Sequence, residues 1–383
     1  MIYILFFLLS IFFAYLAQKS KTTIGAYSSS FVAIMLPAFL AGVRDLGIGT
    51  DTWTYVNDVY FDVTKMNSIV ELINNQLAGN FGEVEMGYVV LNYFTTFLGS
   101  DYHWIYFTTN LVFLVTCYWC IFQRRNFLSV AFAWMILLFF YYNLCLNMVR
   151  QSIAISFCLA AQCMLEEKKY KLMLLFAFLA SISHGTGVMA LFSIAILYIL
   201  PLVVDLFGVK KVLTFAIGFS IILLICSHLF VSYLLNLGIF NDRYSNYLVL
   251  AQLQSDGAFQ TTYVLAYLSF LYVFYYAYKV VKHKELKNRI LIQGLFFYLA
   301  FVLFCCSAIT YHAFRISLYF MLISTLIYYP EIIKTLFRMK LNMAEFAKKI
   351  TILVSFFVWW YNIVYKGIHE TIPYSSKILD SLF

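Results

Sequence analysis

The apolar stretch at residues 186–204, TGVMALFSIAILYILPLVV, decides the fold, because it carries no charged side chain. A membrane-spanning α-helix needs about 20 consecutive, mainly apolar residues. The rest of the chain has the same character: 63% of its 383 residues are hydrophobic and 11% are charged, whereas a soluble domain is about a quarter charged. The sequence therefore predicts an all-α polytopic integral membrane protein that forms a single membrane domain, residues 1–383.

Similar windows recur along the chain and predict about twelve transmembrane helices. They lie at 1–17, 27–43, 104–123, 127–143, 147–165, 171–183, 186–204, 211–230, 261–281, 290–308, 312–329 and 350–366. Cytoplasmic loops of membrane proteins collect Lys and Arg. If residue 1 lies outside, most of the 26 basic residues fall in inner loops. This bias accounts for the net charge of +8, and we expect no nucleic-acid partner. The basic residues left outside are Arg44, Lys65, Arg150, Arg243, Arg315, Lys366 and Lys377.

The predicted outer face carries two long loops, 44–103 and 231–260, short crossings near 144–146 and 309–311, and a break at 184–187. The first loop repeats apolar residues at helical spacing, which predicts an amphipathic helix on the outer leaflet; they are Met66, Ile69, Val70, Ile73 and Leu77. The apolar segment 86–99 is short, and a crossing there would move most basic loops outside. We therefore expect a short re-entrant or interfacial helix.

Arginines at predicted helix ends are candidates for binding an anion, since guanidinium suits bidentate contacts with phosphate or carboxylate. Arg150 shares one helical face with Asn147 and Gln151 by spacing. A charge inside a membrane helix costs about 2.5–3.5 kcal/mol and usually faces a cavity or a partner. The alternative is a side chain that extends to the interface. Arg243 follows Asp242 and can simply pair with it.

Two histidines accompany these arginines. His184 lies in the polar break SISHGTG at 181–187, where its imidazole can donate to a phosphate or accept a proton. It can equally be a residue that only links two helices. Arg315 is one helical turn after His312, which follows Tyr311. His312 can also be an ordinary hydrogen-bonded histidine at the interface.

The polar stretch Arg44–Tyr55, RDLGIGTDTWTY, supplies carboxylates to the same face. Asp51 and Tyr55 share a face if a helix begins at Asp51, and a helix N-terminus itself attracts anions. Glu85 stands before the short apolar segment. Arginines, histidine and aromatics on one face favour an anionic, sugar-bearing ligand such as a lipid-linked pyrophosphate. No metal-ligand cluster is evident, since the CxxC at Cys117 lies in an apolar helix without a second pair.

This ordered set of residues resembles the EpsG-like family of membrane polysaccharide polymerases, which are related in role to Wzy O-antigen polymerases. The resemblance covers nearly the whole chain and rests on order rather than on one specific motif. Its elements are Arg44 with Gly49-Thr50-Asp51 and Tyr55, Asn147-x-x-Arg150-Gln151-x-x-Ala154, His184, Arg315 and Pro373-Tyr374.

The resemblance implies a reaction at the outer face of the bacterial cytoplasmic membrane. Oligosaccharide units on undecaprenyl pyrophosphate serve as donor and acceptor, with a flippase and a chain-length regulator as further partners. No cofactor and no metal are expected. Arg150 and Arg315 would hold the pyrophosphate with His184, while Asp51, or His184, acts as base. Substrate-binding residues would be Arg44, which can hold Asp51 or touch phosphate, with Tyr55, Glu85, Asn147, Gln151, Arg243, Tyr311 and His312.

Two other classes of function stay open, namely a transporter and another outer-face transferase, which would be a ligase or an acyltransferase. A lipid-linked oligosaccharide flippase, or another transporter, would also have many spans, but it predicts charges buried at mid-membrane in both halves. An O-antigen ligase would use similar arginines and histidines with a different acceptor. A membrane acyltransferase would normally take its donor from the cytoplasm.

Overall fold

The structure is a computed structural model that describes residues 2–49, 52–236, 261–308 and 311–381. Every regular element in these ranges is helical, as expected where lipid cannot hydrogen-bond to the backbone. The α-helices are α1 (Ile2–Lys19), α2 (Thr23–Gly42), α3 (Thr52–Tyr55), α4 (Phe61–Val63), α5 (Ile69–Leu77), α6 (Met86–Thr96), α7 (His103–Gln123), α8 (Val130–Phe140), α9 (Tyr142–Asn147), α10 (Val149–Glu166), α11 (Tyr170–Ser183), α12 (Met189–Phe207), α13 (Val209–Asn236), α14 (Thr261–Val280), α15 (Lys284–Cys305), α16 (Tyr311–Ile323), α17 (Tyr329–Arg338), α18 (Asn342–Trp359) and α19 (Lys377–Asp380).

Shorter helical pieces join these helices. Three are π-helical, at Val56–Tyr60, Ser324–Tyr328 and Trp360–Tyr365, and three are 3₁₀ turns, at Gly185–Val188, Cys306–Ala308 and Ile368–Glu370. Each predicted window falls on helix, which confirms the all-helical class. Within the described residues, 6 helical stretches are long and apolar enough to cross a membrane. The protein is therefore a multi-pass membrane protein, and the count of about twelve spans stays a prediction.

The chain forms two compact units. One comprises Met1–Ala190 with Ile352–Phe383, and the other comprises Leu191–Thr351. In the second unit α15 packs against α14 and α16. There the buried carboxylate of Glu331 accepts a hydrogen bond from Arg289 Nη2 at 2.8 Å. The ring of Phe270 stacks on Tyr329 with centroids 4.1 Å apart.

The N-terminal unit is held together by small residues and by buried polar pairs. α1 packs along α2, where the fully buried Ala14 and Ala33 permit close approach. Ser10 Oγ donates to the Ala33 carbonyl at 2.6 Å and accepts from Trp134 Nε1 at 2.7 Å. Trp359 at the end of α18 donates a hydrogen bond from Nε1 to Asn143 Oδ1 at 2.8 Å. These bonds satisfy polar groups that lipid would leave unpaired.

The two short helices predicted after residue 65 are confirmed. α5 buries Leu72 and exposes an apolar stripe in which Val70 is 63% and Leu77 is 76% exposed. α6 has 11 residues and is about 16 Å long, too short for a hydrocarbon core of about 30 Å. α6 packs against α5, α7 and α11. Whether α6 is re-entrant or interfacial stays a prediction.

Two expectations about boundaries are wrong. The crossing at 144–146 is part of helix α9, and the chain bends instead at Met148, whose φ and ψ are −87° and 58°. Asn147 therefore ends α9 and does not share a helical face with Arg150, because the break at Met148 interrupts the expected 3.6-residue period. The second outer loop, 231–260, stays a prediction. Helix α13 continues to Asn236, and residues 237–260 lie outside the described residues.

Candidate functional site

Glu85 is the centre of a polar cluster in the N-terminal unit. It precedes α6 in an extended conformation, and its side chain makes no capping bond to that helix. Its Oε2 accepts a hydrogen bond from Arg150 Nη1, forming an ion pair. Its Oε1 accepts a hydrogen bond from the backbone N–H of Gly185 at 2.5 Å. One carboxylate thus joins the starts of α6 and α10 to the turn that follows α11.

Arg150 is the second residue of α10, and apolar packing fixes its position. Val149 beside it belongs to a buried cluster that also contains Tyr88 and Val89 of α6. Because those residues closely follow Glu85, the cluster brings the two charged groups together. The side chains of Arg150 and Glu85 are 12% and 20% exposed. The ion pair is therefore largely withdrawn from water, where its electrostatic interactions are stronger than at the surface.

His184 ends α11 in an extended conformation and starts the 3₁₀ turn Gly185–Val188. Its Nδ1 accepts a hydrogen bond from the backbone N–H of Thr186 at 3.1 Å and lies 2.9 Å from the Thr186 hydroxyl. A backbone N–H can only donate, so Nδ1 carries no proton and Nε2 carries it. In this arrangement the ring offers Nε2–H as a donor.

Two glycines allow the close backbone approaches around this cluster. A Cβ added at Gly187 would lie 2.0 Å from the carbonyl oxygen of Ala180, and one at Gly87 would lie 2.6 Å from that of Ile182. Both distances are far inside van der Waals contact. The turn after α11 and the start of α6 therefore require glycine for reasons of space.

Arg44 marks a second polar region of the same unit, just after α2. Its side chain is 0% exposed, and its guanidinium carbon lies 4.3 Å from the ring centroid of Tyr106. Tyr3, Tyr142 and Tyr374 also contribute to its electrostatic surroundings. Burial lowers the pKa of Arg44 from its usual value, and the tyrosines oppose that shift. The charged form is thus disfavoured by its environment.

The C-terminal residues 367–380 cover this region through hydrogen bonds to the backbone near the end of α2. Tyr374 donates its hydroxyl to the Leu40 carbonyl at 2.7 Å. Ser376 Oγ donates to the Val43 carbonyl at 2.5 Å. We call residues 367–380 the C-terminal cover. The polar stretch that opens the first predicted outer loop is therefore packed under the end of the chain.

His369 connects the C-terminal cover to the junction of α9 and α10. Its Nδ1 lies 3.5 Å from the side-chain nitrogen of Asn147. His369 and Glu370 have positive φ values of 74° and 50°, a conformation that costs energy for residues other than glycine. Desolvation lowers the pKa of His369 to about 4, so its ring is neutral near pH 7.

The structure brings together some of the residues predicted for the site and leaves others open. Glu85 pairs with Arg150 and accepts a hydrogen bond from the backbone N–H that follows His184, while Gln151 is buried one residue further along α10. Arg315 is half-buried on α16 in the other unit. Asp51 and Arg243 lie outside the described residues. Tyr55 belongs to α3, and Tyr311 and His312 belong to α16, but only their backbones are described.

Sequence reasoning missed the tyrosines around Arg44 and the histidine of the C-terminal cover. The chain has 31 tyrosines, and nothing in the sequence connected Tyr3, Tyr106, Tyr142 or Tyr374 with Arg44. Nothing in their spacing connects residues so far apart. For Tyr374 a signal existed, because Pro373-Tyr374 was already part of the resemblance to a family.

The helices and the arginine-containing cluster define the class as a multi-pass membrane protein with a polar, partly enclosed site. The EpsG family model matches residues 27–376, and the chain belongs to this family of Wzy-like polysaccharide polymerases. No curated protein and no solved structure matches the chain. Among the residues described, no group of three or more His, Cys, Asp or Glu is arranged to hold a metal ion.

Proposed function

We propose that this protein polymerises oligosaccharide repeat units carried on undecaprenyl pyrophosphate, at the outer face of the bacterial cytoplasmic membrane. The observation that carries the proposal is the Glu85 carboxylate shared between Arg150 and the His184 turn, in a chain of the EpsG family. The cluster combines a cation for phosphate with an imidazole donor. The outer-face orientation is supported by the distribution of Lys and Arg in the sequence.

The reaction exchanges one bond at the anomeric carbon for another. The C1–O bond from the donor sugar to its lipid pyrophosphate breaks, and a C1–O bond to a hydroxyl of the acceptor unit forms. The hydroxyl proton passes to a base, and the bonding electrons leave with the pyrophosphate. The transition state therefore places growing negative charge on the leaving group, where fixed cations and hydrogen-bond donors are most effective.

On the donor side, Arg150 binds the pyrophosphate and His184 donates from Nε2–H to one of its oxygens. The hydrogen bond from Thr186 to Nδ1 supports the donor role of His184, because it holds the proton on the other nitrogen. The same bond argues against His184 as the base. Arg315, which belongs to the other unit, stays a predicted phosphate-binding residue.

Glu85 sets the position of Arg150 before the donor arrives. An incoming pyrophosphate has to share the guanidinium with this carboxylate or displace it, since both are anions. Such competition also favours release of the lipid pyrophosphate after each transfer. Glu85 is then a positioning residue for Arg150 and the turn after α11.

On the acceptor side, Asp51 is the proposed base, with Tyr55 close to it in sequence. Support comes from Gly49, two residues before Asp51. A Cβ built on Gly49 would lie 3.1 Å from the carbonyl oxygen of Leu146, so the stretch leading to Asp51 runs beside the end of α9. Arg150 follows that end by three residues.

Deletion of the gene, with complementation by variants, tests this proposal. The deletion strain should accumulate single repeat units on their lipid carrier at the outer leaflet, and wild type should restore polymer. Arg150→Lys should fail to restore it at normal protein level. Arg125→Lys is a matched control, because Arg125 is an exposed arginine just after the C-terminal end of α7. Full polymer from Arg150→Ala refutes the site, and repeat units trapped on the inner leaflet indicate a flippase.

A further inference from the structure

Arg44 is a buried cation, and no carboxylate among the residues that the structure describes forms an ion pair with it. Its side chain is fully buried, and within the described residues no group accepts a hydrogen bond from Nε, Nη1 or Nη2. The face of the Tyr106 ring lies against the guanidinium, with its centroid 4.3 Å from the guanidinium carbon. A guanidinium has five N–H donors, and burying it unpaired is strongly unfavourable.

The surrounding tyrosines do not replace the missing anion, because their hydroxyl protons go elsewhere. Tyr3 donates to the Thr371 carbonyl at 3.0 Å, and Tyr142 donates to the Pro37 carbonyl at 2.7 Å. Tyr374 donates to the backbone near the end of α2. The three hydroxyls are thereby held by backbone carbonyls, and all three tyrosines contribute to the electrostatic surroundings of the guanidinium. A buried cation whose donors stay unsatisfied is an arrangement that an anionic ligand would stabilise.

A cavity of about 400 Å³ lies directly beyond two of these tyrosines. Its lining includes Tyr3, Tyr374, Pro373, Ser376 and Ile2. Tyr374 is half-buried, lines this cavity and contributes to the electrostatic surroundings of Arg44. Rotation of this one ring, held by its hydrogen bond to Leu40, would open a path from the cavity to the guanidinium.

We propose that Arg44 is the cation of a second anion-binding site, reached from the cavity beside Tyr3 and Tyr374, and that its ligand is a pyrophosphate group. The planar fork of arginine fits two oxygens of such a group. The hydroxyl of Tyr374 can add a hydrogen bond once its ring has turned away from the Leu40 carbonyl. That this pyrophosphate belongs to a lipid-linked sugar rests on the proposed function; the anion site does not.

The experiment measures thermal unfolding of the purified full-length protein in detergent, with inorganic pyrophosphate as the probe. Each variant is made in an Arg150→Gln background, so that binding at the Glu85 cluster does not contribute. The parent should be stabilised by pyrophosphate, because a ligand that binds only the folded state raises the midpoint. Arg44→Met should weaken the apparent affinity by about tenfold or more. Arg125→Met is the control and should leave the affinity unchanged.

Ligand-free stability separates a binding role from a structural one. Arg44→Met keeps the length of the side chain and removes an unpaired buried charge, so its midpoint without ligand should equal or exceed that of the parent. A lower midpoint together with an unchanged pyrophosphate response would show that Arg44 is only structural and would overturn the proposal. A response that is absent from the parent overturns it as well.

Two further arms identify the source of the pyrophosphate and the path to it. Farnesyl pyrophosphate should bind more tightly than inorganic pyrophosphate if the ligand is a lipid carrier; equal affinity assigns the site to free pyrophosphate, and the anion site stands in both cases. Tyr374→Phe removes the bond to Leu40 and keeps the ring. It should speed association, whereas an unchanged rate overturns the role of Tyr374 as the gate.

Discussion

Arg150 and Arg44 lie in the same unit of the protein, each at the end of a helix, and their surroundings are opposite. Arg150 forms an ion pair with Glu85 and keeps an exposed edge. Arg44 is completely buried, and no described residue accepts a hydrogen bond from it. The same residue type is thus held in one region by a carboxylate and in the other by aromatic rings.

This difference indicates how each region would bind and release an anion. At Arg150 a phosphate competes with the Glu85 carboxylate for the guanidinium. Binding would therefore displace Glu85, and the return of Glu85 would help the phosphate to dissociate. At Arg44 no carboxylate among the described residues competes, so an anion would stay longer once the site has opened. The proposed reaction needs both behaviours, because it would discard one lipid pyrophosphate per transfer and retain the carrier of the other unit.

Gly187→Ala should have the largest effect and should act on the Arg150 region alone. The added Cβ would lie 2.0 Å from the Ala180 carbonyl oxygen, so the turn that carries His184 must move. A displacement near 1 Å can cost about 100-fold in rate. Polymer formation by membranes of complemented cells should fall by about that factor, while pyrophosphate binding at Arg44 is retained.

Gly218→Ala is the matched control for that substitution. A Cβ at Gly218 meets nothing within 4 Å, and alanine is a better helix former than glycine. Its activity and expression should equal those of wild type. If Gly187→Ala removed binding at Arg44 too, the two regions would be one cooperative structure and the comparison would fail.

Glu85→Gln should make Arg150 resemble Arg44, a cation without its carboxylate. We expect a loss of about 10- to 100-fold in polymerisation, because the guanidinium and the turn at Gly185 lose their common partner. Stability should fall by about 1–3 kcal/mol. The measurements are polymer yield and chemical unfolding of the purified protein.

The double variant Glu85→Gln with Arg150→Gln decides whether the pair acts as a unit. Residues in contact give non-additive effects, so the double variant should be no less active than Arg150→Gln alone. Strictly additive losses would mean that Glu85 acts on substrate independently of Arg150.

The helices were predictable from the sequence because lipid imposes a simple condition on length and composition. The windows at 1–17 and 104–123 correspond closely to α1 and α7. The break inside the predicted helical face at Asn147 was not predictable, since no proline or glycine marks Met148. Boundaries of this kind depend on tertiary packing, which overrides local propensity.

The site was predictable only in part. The sequence identified Glu85, Arg150 and His184 as candidates, but Glu85 and Gly185 are 100 residues apart, and no periodicity connects them. The group of tyrosines around Arg44 was even less predictable from the sequence, because Tyr3 and Tyr374 come from opposite ends of the chain. A single sequence contains no signal for such long-range contacts, and the structure is needed to find them.

His184 variants should show a smaller effect and test the donor assignment within the Arg150 region. Asn at this position can accept from the Thr186 N–H but lacks a donor at the place of Nε2. His184→Asn should therefore fold normally and lose about tenfold in polymerisation. His184→Gln reverses the arrangement and should be more active than His184→Asn when compared at equal protein level. An equal and complete loss in both variants would assign His184 to the base, because neither amide can accept a proton near neutral pH.

The smallest effect is a dependence of stability on pH through His369, which belongs to the cover over Arg44 and lies beside Asn147. Its pKa is lowered from 6.5 to about 4 in the folded protein, so between these values only the unfolded chain is protonated. Stability therefore falls as the pH drops through this window, by about 2 kcal/mol at pH 5. Asn tolerates positive φ, and His369→Asn should unfold at a midpoint less dependent on pH than wild type. Equal pH profiles for the two proteins would show that folding does not lower the pKa of His369. The C-terminal cover would then leave this ring in contact with water.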